Sequence, residues 1–155
     1  MCDSEMDSRD AASTNSVISE GAGLATPENA LLTAMSRSLP GAIEEISRGR
    51  KEEQSHWSRY AFPTSLRGRN DPRGASVRPE YAAAVAAAAP AEWRSVLEML
   101  SQDAGLCSLP TRDVGRVTAF VDFWDGIAGR PAWMGPSCTA LRDRLKERAS
   151  MSCVR

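Results

Sequence analysis

The chain has one histidine, two lysines, two tyrosines and three phenylalanines, and its four cysteines lie far apart. Each shortage removes a class of function. Cys2, Cys107, Cys138 and Cys153 form no Cys-x-x-Cys pair, and the single imidazole, His56, does not complete a Cys/His zinc set. No metal site is expected, and no motif asks for a cofactor. The most apolar stretch, Tyr81 to Ala91, is short and mostly alanine, so no membrane partner is expected. No apolar secretion segment precedes the cysteines, which points to reduced thiols in a cytoplasmic or nuclear setting rather than to secretion. Sustained alternation of β-branched residues is missing, which argues against a sheet. No glycine-rich loop sits between a strand and a helix, as phosphate-cradling loops require.

What is present suits one modest core: 155 residues, 42% of them apolar. Residues 1–25 have little to bury beyond Met6, Val17, Ile18 and Leu24, so ordering them costs more entropy than burial returns. A disordered acidic tail is expected there, then a helical domain over 26–150 and a frayed end at 151–155. The tail carries Asp3, Glu5, Asp7, Asp10 and Glu20 against Arg9, a charge of −4 inside a total of −1. The compensating positive charge gathers between Arg48 and Arg78, where eight cations face three acids.

Helical signals follow one another along the remainder. Thr26-Pro27-Glu28 opens a helix to about Arg37, and Ser38-Leu39-Pro40-Gly41 reads as a break that starts a second helix, through Ile43 and Ile46 to about Arg50. Leu66 to Pro79 holds too many glycines and prolines for regular structure and reads as an arginine-bearing loop. Arg78-Pro79-Glu80 opens a third helix, and Pro90 resets the chain into a fourth with Trp93, Val96, Leu97 and Leu100 in a stripe. The clearest helix runs from Leu109-Pro110-Thr111 to about Ala128, with Val114, Val117, Phe120, Val121, Trp124 and Ile127 at helical spacing. Ser137 is placed to cap a last helix with Cys138, Leu141 and Leu145 inward. The fold class expected is all-α, a single compact bundle of five or six helices.

The segment from Gly49-Arg50-Lys51 to His56-Trp57-Ser58-Arg59-Tyr60-Ala61-Phe62-Pro63 concentrates cations, three aromatics and the only histidine. Arg50 follows Ile43 and Ile46 on or near the buried face of its helix, so it needs a partner: a carboxylate, a helix-end carbonyl or a bound anion. Trp57 and Phe62 read first as core; His56 with Trp57 also has the chemistry of a pocket wall, one hydrogen-bonding ring and one stacking face. Arg59 and Arg67 beside Tyr60 form the combination that clamps phosphate while a ring stacks on a base. The expected ligand set is therefore Arg50, Lys51, His56, Trp57, Arg59, Tyr60 and Arg67, for a nucleotide or another phosphate-bearing small molecule. Nucleic acid is not expected, because the chain is far from strongly basic. His56 and Glu53 are the weak candidates for catalysis. Glu44/Glu45, Glu52/Glu53 and Asp122/Asp125 read more simply as helix-surface charge than as a catalytic carboxylate pair.

Gly49, Arg50, Lys51, His56, Trp57, Phe62 and Pro63 resemble the signature of the family labelled domain of unknown function 1810, small all-helical soluble proteins. The likeness covers about residues 29–146 and is motif-deep only over Arg48 to Pro63. Ser58-Arg59 stands where relatives carry an aromatic, Thr64 where they carry glutamine, and Leu66 to Asn70 where they are glycine-rich. The resemblance implies a compact helical fold and names no activity; a more distant analogy links it to NADAR-type domains that act on ADP-ribose or N-glycosides. Three functions follow as expectations: a module binding a phosphorylated nucleoside or similar anion, an interaction scaffold without a small ligand, or an N-glycoside hydrolase using His56 or Glu53.

Overall fold

The computed structural model describes residues 27–49, 56–65, 75–102, 106 and 109–152. They form an all-α bundle of six helices: α1 Pro27–Ser47, α2 Ser58–Ala61, α3 Pro79–Ala88, α4 Ala91–Leu100, α5 Thr111–Asp125 and α6 Met134–Ser152. Among the described residues the only β pairing is an isolated parallel bridge between Thr64 and Ser76, and no helix is long and apolar enough to cross a membrane. The residues expected to form an acidic tail lie outside those described.

The expected break at Ser38 to Gly41 is not there: α1 runs through Pro40 to Ser47. The reason is its buried face, Glu28, Leu31, Met35, Leu39 and Ala42, which keeps helical spacing straight past the proline. Pro40 sits on the opposite, exposed side, and so does Ser36, whose carbonyl loses its helical amide partner because proline has no N–H. Burial of Leu39 and Ala42 outweighs the local penalty.

α1 packs on α4, α2 and α3, while α5 pairs with α6 and α4 touches α6. Between them stand Trp93 and Trp124, both fully buried, with ring centroids 5.4 Å apart in an edge-to-face arrangement. Phe120 and Phe62 extend the stack at 5.5 Å, and Trp133 caps Trp93 at 5.7 Å. Such pairs each add about 0.5–1.5 kcal/mol beyond the area they bury.

α5 stops at Asp125, three residues short of the expected Ala128; the carbonyl of Trp124 accepts from the Ile127 amide at 3.2 Å and from Arg130 Nη1 at 2.7 Å in place of a further helical turn. Asp125 also accepts from Arg130 at 2.9 Å and from Arg142, tying the end of α5 to α6. Asp125, read from sequence as surface charge, is exposed and in addition ties two arginines to the end of α5. α6 begins at Met134, before the expected Ser137 cap; Ser137 lies inside its first turn and donates to the carbonyl of Trp133 at 3.1 Å. Farther along α6, Arg144 donates to the carbonyl of Ser101, and Arg148 to those of Leu106 and Leu109, so this helix fastens the α4–α5 connection through backbone acceptors.

The loop before α3 is held to the start of α1 by a bidentate pair, Arg78 Nε and Nη2 to Glu28 at 2.9 and 3.1 Å. The Glu28 side chain is 8% exposed and that of Arg78 49%, so one partner is shielded and the other open to water. The Arg78 hydrogen bonds hold the Glu28 carboxyl below its ordinary value of 4.5, against the opposing effect of burial. Arg142, and secondarily Arg130, hold Asp125 below its ordinary 3.8. A carboxylate whose folded pKa is lowered binds fewer protons folded than unfolded, so its stabilisation is present above the ordinary value and is lost as pH falls through the folded one. Urea midpoints measured from pH 6 downward should fall once pH drops below about 4.5, and Glu28→Gln should make the decline shallower. An unchanged pH profile in that variant would show that Glu28 carries no such linkage.

Candidate functional site

Three indole N–H groups fasten the stretch from Trp57 to Thr64. Trp57 Nε1 donates to Glu45 Oε2 of α1 at 2.9 Å, Trp93 Nε1 of α4 to the carbonyl of Ala61 at 2.8 Å, and Trp124 Nε1 of α5 to that of Pro63 at 2.9 Å. The carbonyl of Thr64 accepts from the Val77 amide at 3.0 Å. These are the partners that buried backbone carbonyls in a non-helical stretch require. Phe62 is buried against Phe120, and Ser58, Ala61 and Pro63 are buried with it. Only His56, Arg59 and Tyr60 of this stretch keep appreciable contact with solvent before Ser65.

Tyr60 faces α1 across an open cleft of about 510 Å³, whose α1 wall presents Asn29, Thr33, Arg37 and Ser38 with two alanines between them. The volume falls in the range of small-molecule sites. Among the described residues Arg37 is the cation of this cleft, no carboxylate lines it, and Arg37 has no hydrogen-bond or ion-pair partner. The other described arginines hold an acid or a carbonyl, or have a partner of some other kind. A second depression, about 270 Å³ and mainly apolar, lies between α1 and α3 against Leu32, Tyr81, Ala84, Val85 and Ala88.

Of the residues expected from sequence to bind ligand, Tyr60 is the one among the described residues that lines the cleft. Trp57 corrects the stacking expectation: it is 3% exposed, its ring lies 6.5 Å from Phe62 and its N–H is taken by Glu45, so it offers no open face. This agrees with the core reading of Trp57 and Phe62. His56 is exposed, in the left-handed region with φ 52°, and does not line the cleft; histidine is one of the side chains that tolerates that conformation. Arg59 is half-buried and also outside the cleft lining. Arg50, Lys51, Glu53 and Arg67 lie outside the described residues.

Arg37, Asn29, Thr33 and Ser38 are absent from the sequence-based set. A signal existed: Ala30, Thr33, Ala34, Arg37 and Ser38 share one side of α1, a small neutral surface with one cation. Ending the helix at Arg37 concealed it. Among the described residues no group of three or more His, Cys, Asp and Glu is placed to hold a metal ion. Comparisons with protein-family models, with curated proteins and with solved structures find no match to this chain.

Proposed function

We propose that the protein is a binding module for a phosphorylated nucleoside or similar small anion, with the anionic group held in the α1–Tyr60 cleft. The observation that carries this reading is Arg37, a guanidinium without a described partner in a concave surface that, among the described residues, no carboxylate lines. A guanidinium presents a fork of donors matched to two oxygens of a phosphate or carboxylate. Thr33, Ser38 and the Tyr60 hydroxyl add neutral hydrogen-bonding capacity on the same surface. Binding rather than turnover is favoured because His56, the histidine available for proton transfer, stands outside this cleft. Kinship with the domain of unknown function 1810 belongs to the same proposal and rests on the Gly49 to Pro63 motif.

A panel of nucleoside phosphates at low salt tests it by thermal shift. At about 100 times its dissociation constant a true ligand adds roughly 2.7 kcal/mol, which for a chain of this size raises the midpoint by roughly 5–10 °C. Arg37→Ala should abolish the shift and added salt should weaken it. No shift with any phosphate-bearing compound, or an undiminished shift in Arg37→Ala, refutes the proposal.

A further inference from the structure

We infer that the two depressions beside α1 form one two-part site for an aromatic phosphate ester, with the phosphoryl group at Arg37 and the ring in the α1–α3 groove against Tyr81. This rests on the reading of Arg37 given above and assigns the second half of the ligand.

Four observations lead there. Asn29, in the first turn of α1, lines both depressions, so one side chain borders the two. Thr33, one turn beyond Asn29, continues that strip toward Arg37. The groove is built for a flat apolar group: Ala84 and Ala88, one turn apart on α3, have no atoms beyond Cβ to fill it, and Leu32 and Val85 supply aliphatic surface. Its volume of about 270 Å³ suits one ring system and is too small for a docked peptide helix.

The Tyr81 wall is fixed in advance. The ring is 44% exposed, yet the Arg78 guanidinium lies 4.3 Å from its centroid, and Arg78 is itself held by both Glu28 oxygens. A ring oriented in this way loses little freedom when a planar group stacks on it. The same pair sets the direction of binding. Arg78 is already committed to Glu28, and Glu28 lines the groove, so an anion is disfavoured there; among the described residues the unpaired arginine beside these depressions is Arg37. The uncharged, planar end takes the groove.

Calorimetric titration at low salt separates the two halves, with inorganic phosphate, pyrophosphate, purine and pyrimidine nucleoside monophosphates and the free nucleosides as probes. Wild-type protein should bind a nucleoside monophosphate at least tenfold more tightly than inorganic phosphate. Ala84→Trp, a change at an exposed position, should remove that advantage and leave phosphate affinity within twofold; Tyr81→Ala should do the same and serves if the tryptophan variant does not fold. Arg37→Ala should weaken phosphate and nucleotide alike. If the monophosphate binds no more tightly than phosphate, or Ala84→Trp weakens both by the same factor, the two-part site is wrong and the Arg37 reading stands. If phosphate and pyrophosphate fail to bind while a nucleoside binds in an Ala84→Trp-sensitive way, the groove stands and the Arg37 reading falls. Failure of every probe overturns both.

Discussion

Replacing Trp93 with alanine is expected to remove most of the stability of the protein. Truncating a buried tryptophan costs about 3–5 kcal/mol, and Trp93 is fully buried and meets Trp124, Phe120 and Trp133 edge-on. The substitution also deprives the carbonyl of Ala61 of its donor, a further loss of about 1–3 kcal/mol for an orphaned buried acceptor. Against a typical total of about 5–15 kcal/mol, the variant should be largely unfolded or melt at least 10 °C lower in a circular-dichroism scan. Trp93→Phe keeps one ring in the core but removes the N–H together with part of the indole, so it should cost the orphaned acceptor, about 1–3 kcal/mol, plus a cavity contribution, and less than Trp93→Ala. Trp124→Phe, which releases the carbonyl of Pro63, should behave in the same way. A Trp93→Ala protein that melts within 3 °C of wild type would mean that the aromatic stack does not hold the bundle together.

Cys138 is expected to be nearly inert in the folded protein. Its thiol is buried, and desolvation, reinforced by the nearby Asp125 charge, pushes its pKa from 9.0 up to about 11. Only the thiolate attacks thiol reagents, so at pH 8 its population falls about 100-fold relative to the unfolded chain, before steric exclusion is counted. In a variant with Cys2, Cys107 and Cys153 replaced by serine, the native reaction with a disulfide reagent should be at least 100-fold slower than in denaturant. Equal rates would place the thiol at the surface. The linkage sign is the reverse of that for Glu28: a group whose folded pKa is raised stabilises fully below its unfolded value and loses that contribution as pH rises through the folded one. Between about pH 9 and 11 the wild type should therefore lose stability that Cys138→Ala retains.

The candidate site was legible in part. Tyr60, expected as a binding wall because an aromatic with a hydroxyl stands beside basic residues, lines the cleft with α1. Trp57 was harder to place, because spacing marks an indole as inward without saying whether a carboxylate twelve residues earlier will take its N–H. Glu45, one of an apparently ordinary surface pair, does so. Arg37 was missed for a different reason. Proline at position 40 normally ends a helix, and the burial of Leu39 and Ala42 carries α1 past it, so that the supposed helix end is part of a cleft wall.

Local chemistry determined the helical class, the openings of α1, α3, α4 and α5 at Pro27, Pro79, Ala91 and Thr111, and the inward stripes of α4 and α5, because period and capping residues act over a few neighbours. Tertiary structure decided the rest. The continuity of α1, the seating of three indoles on Glu45, Ala61 and Pro63, and the placing of Tyr60 and Arg37 along one cleft all depend on partners that are remote or on other elements. A hydrogen bond from α5 to a carbonyl sixty-one residues away leaves no trace in local periodicity. It exists because a buried carbonyl must have a donor and the packed core brings one within reach.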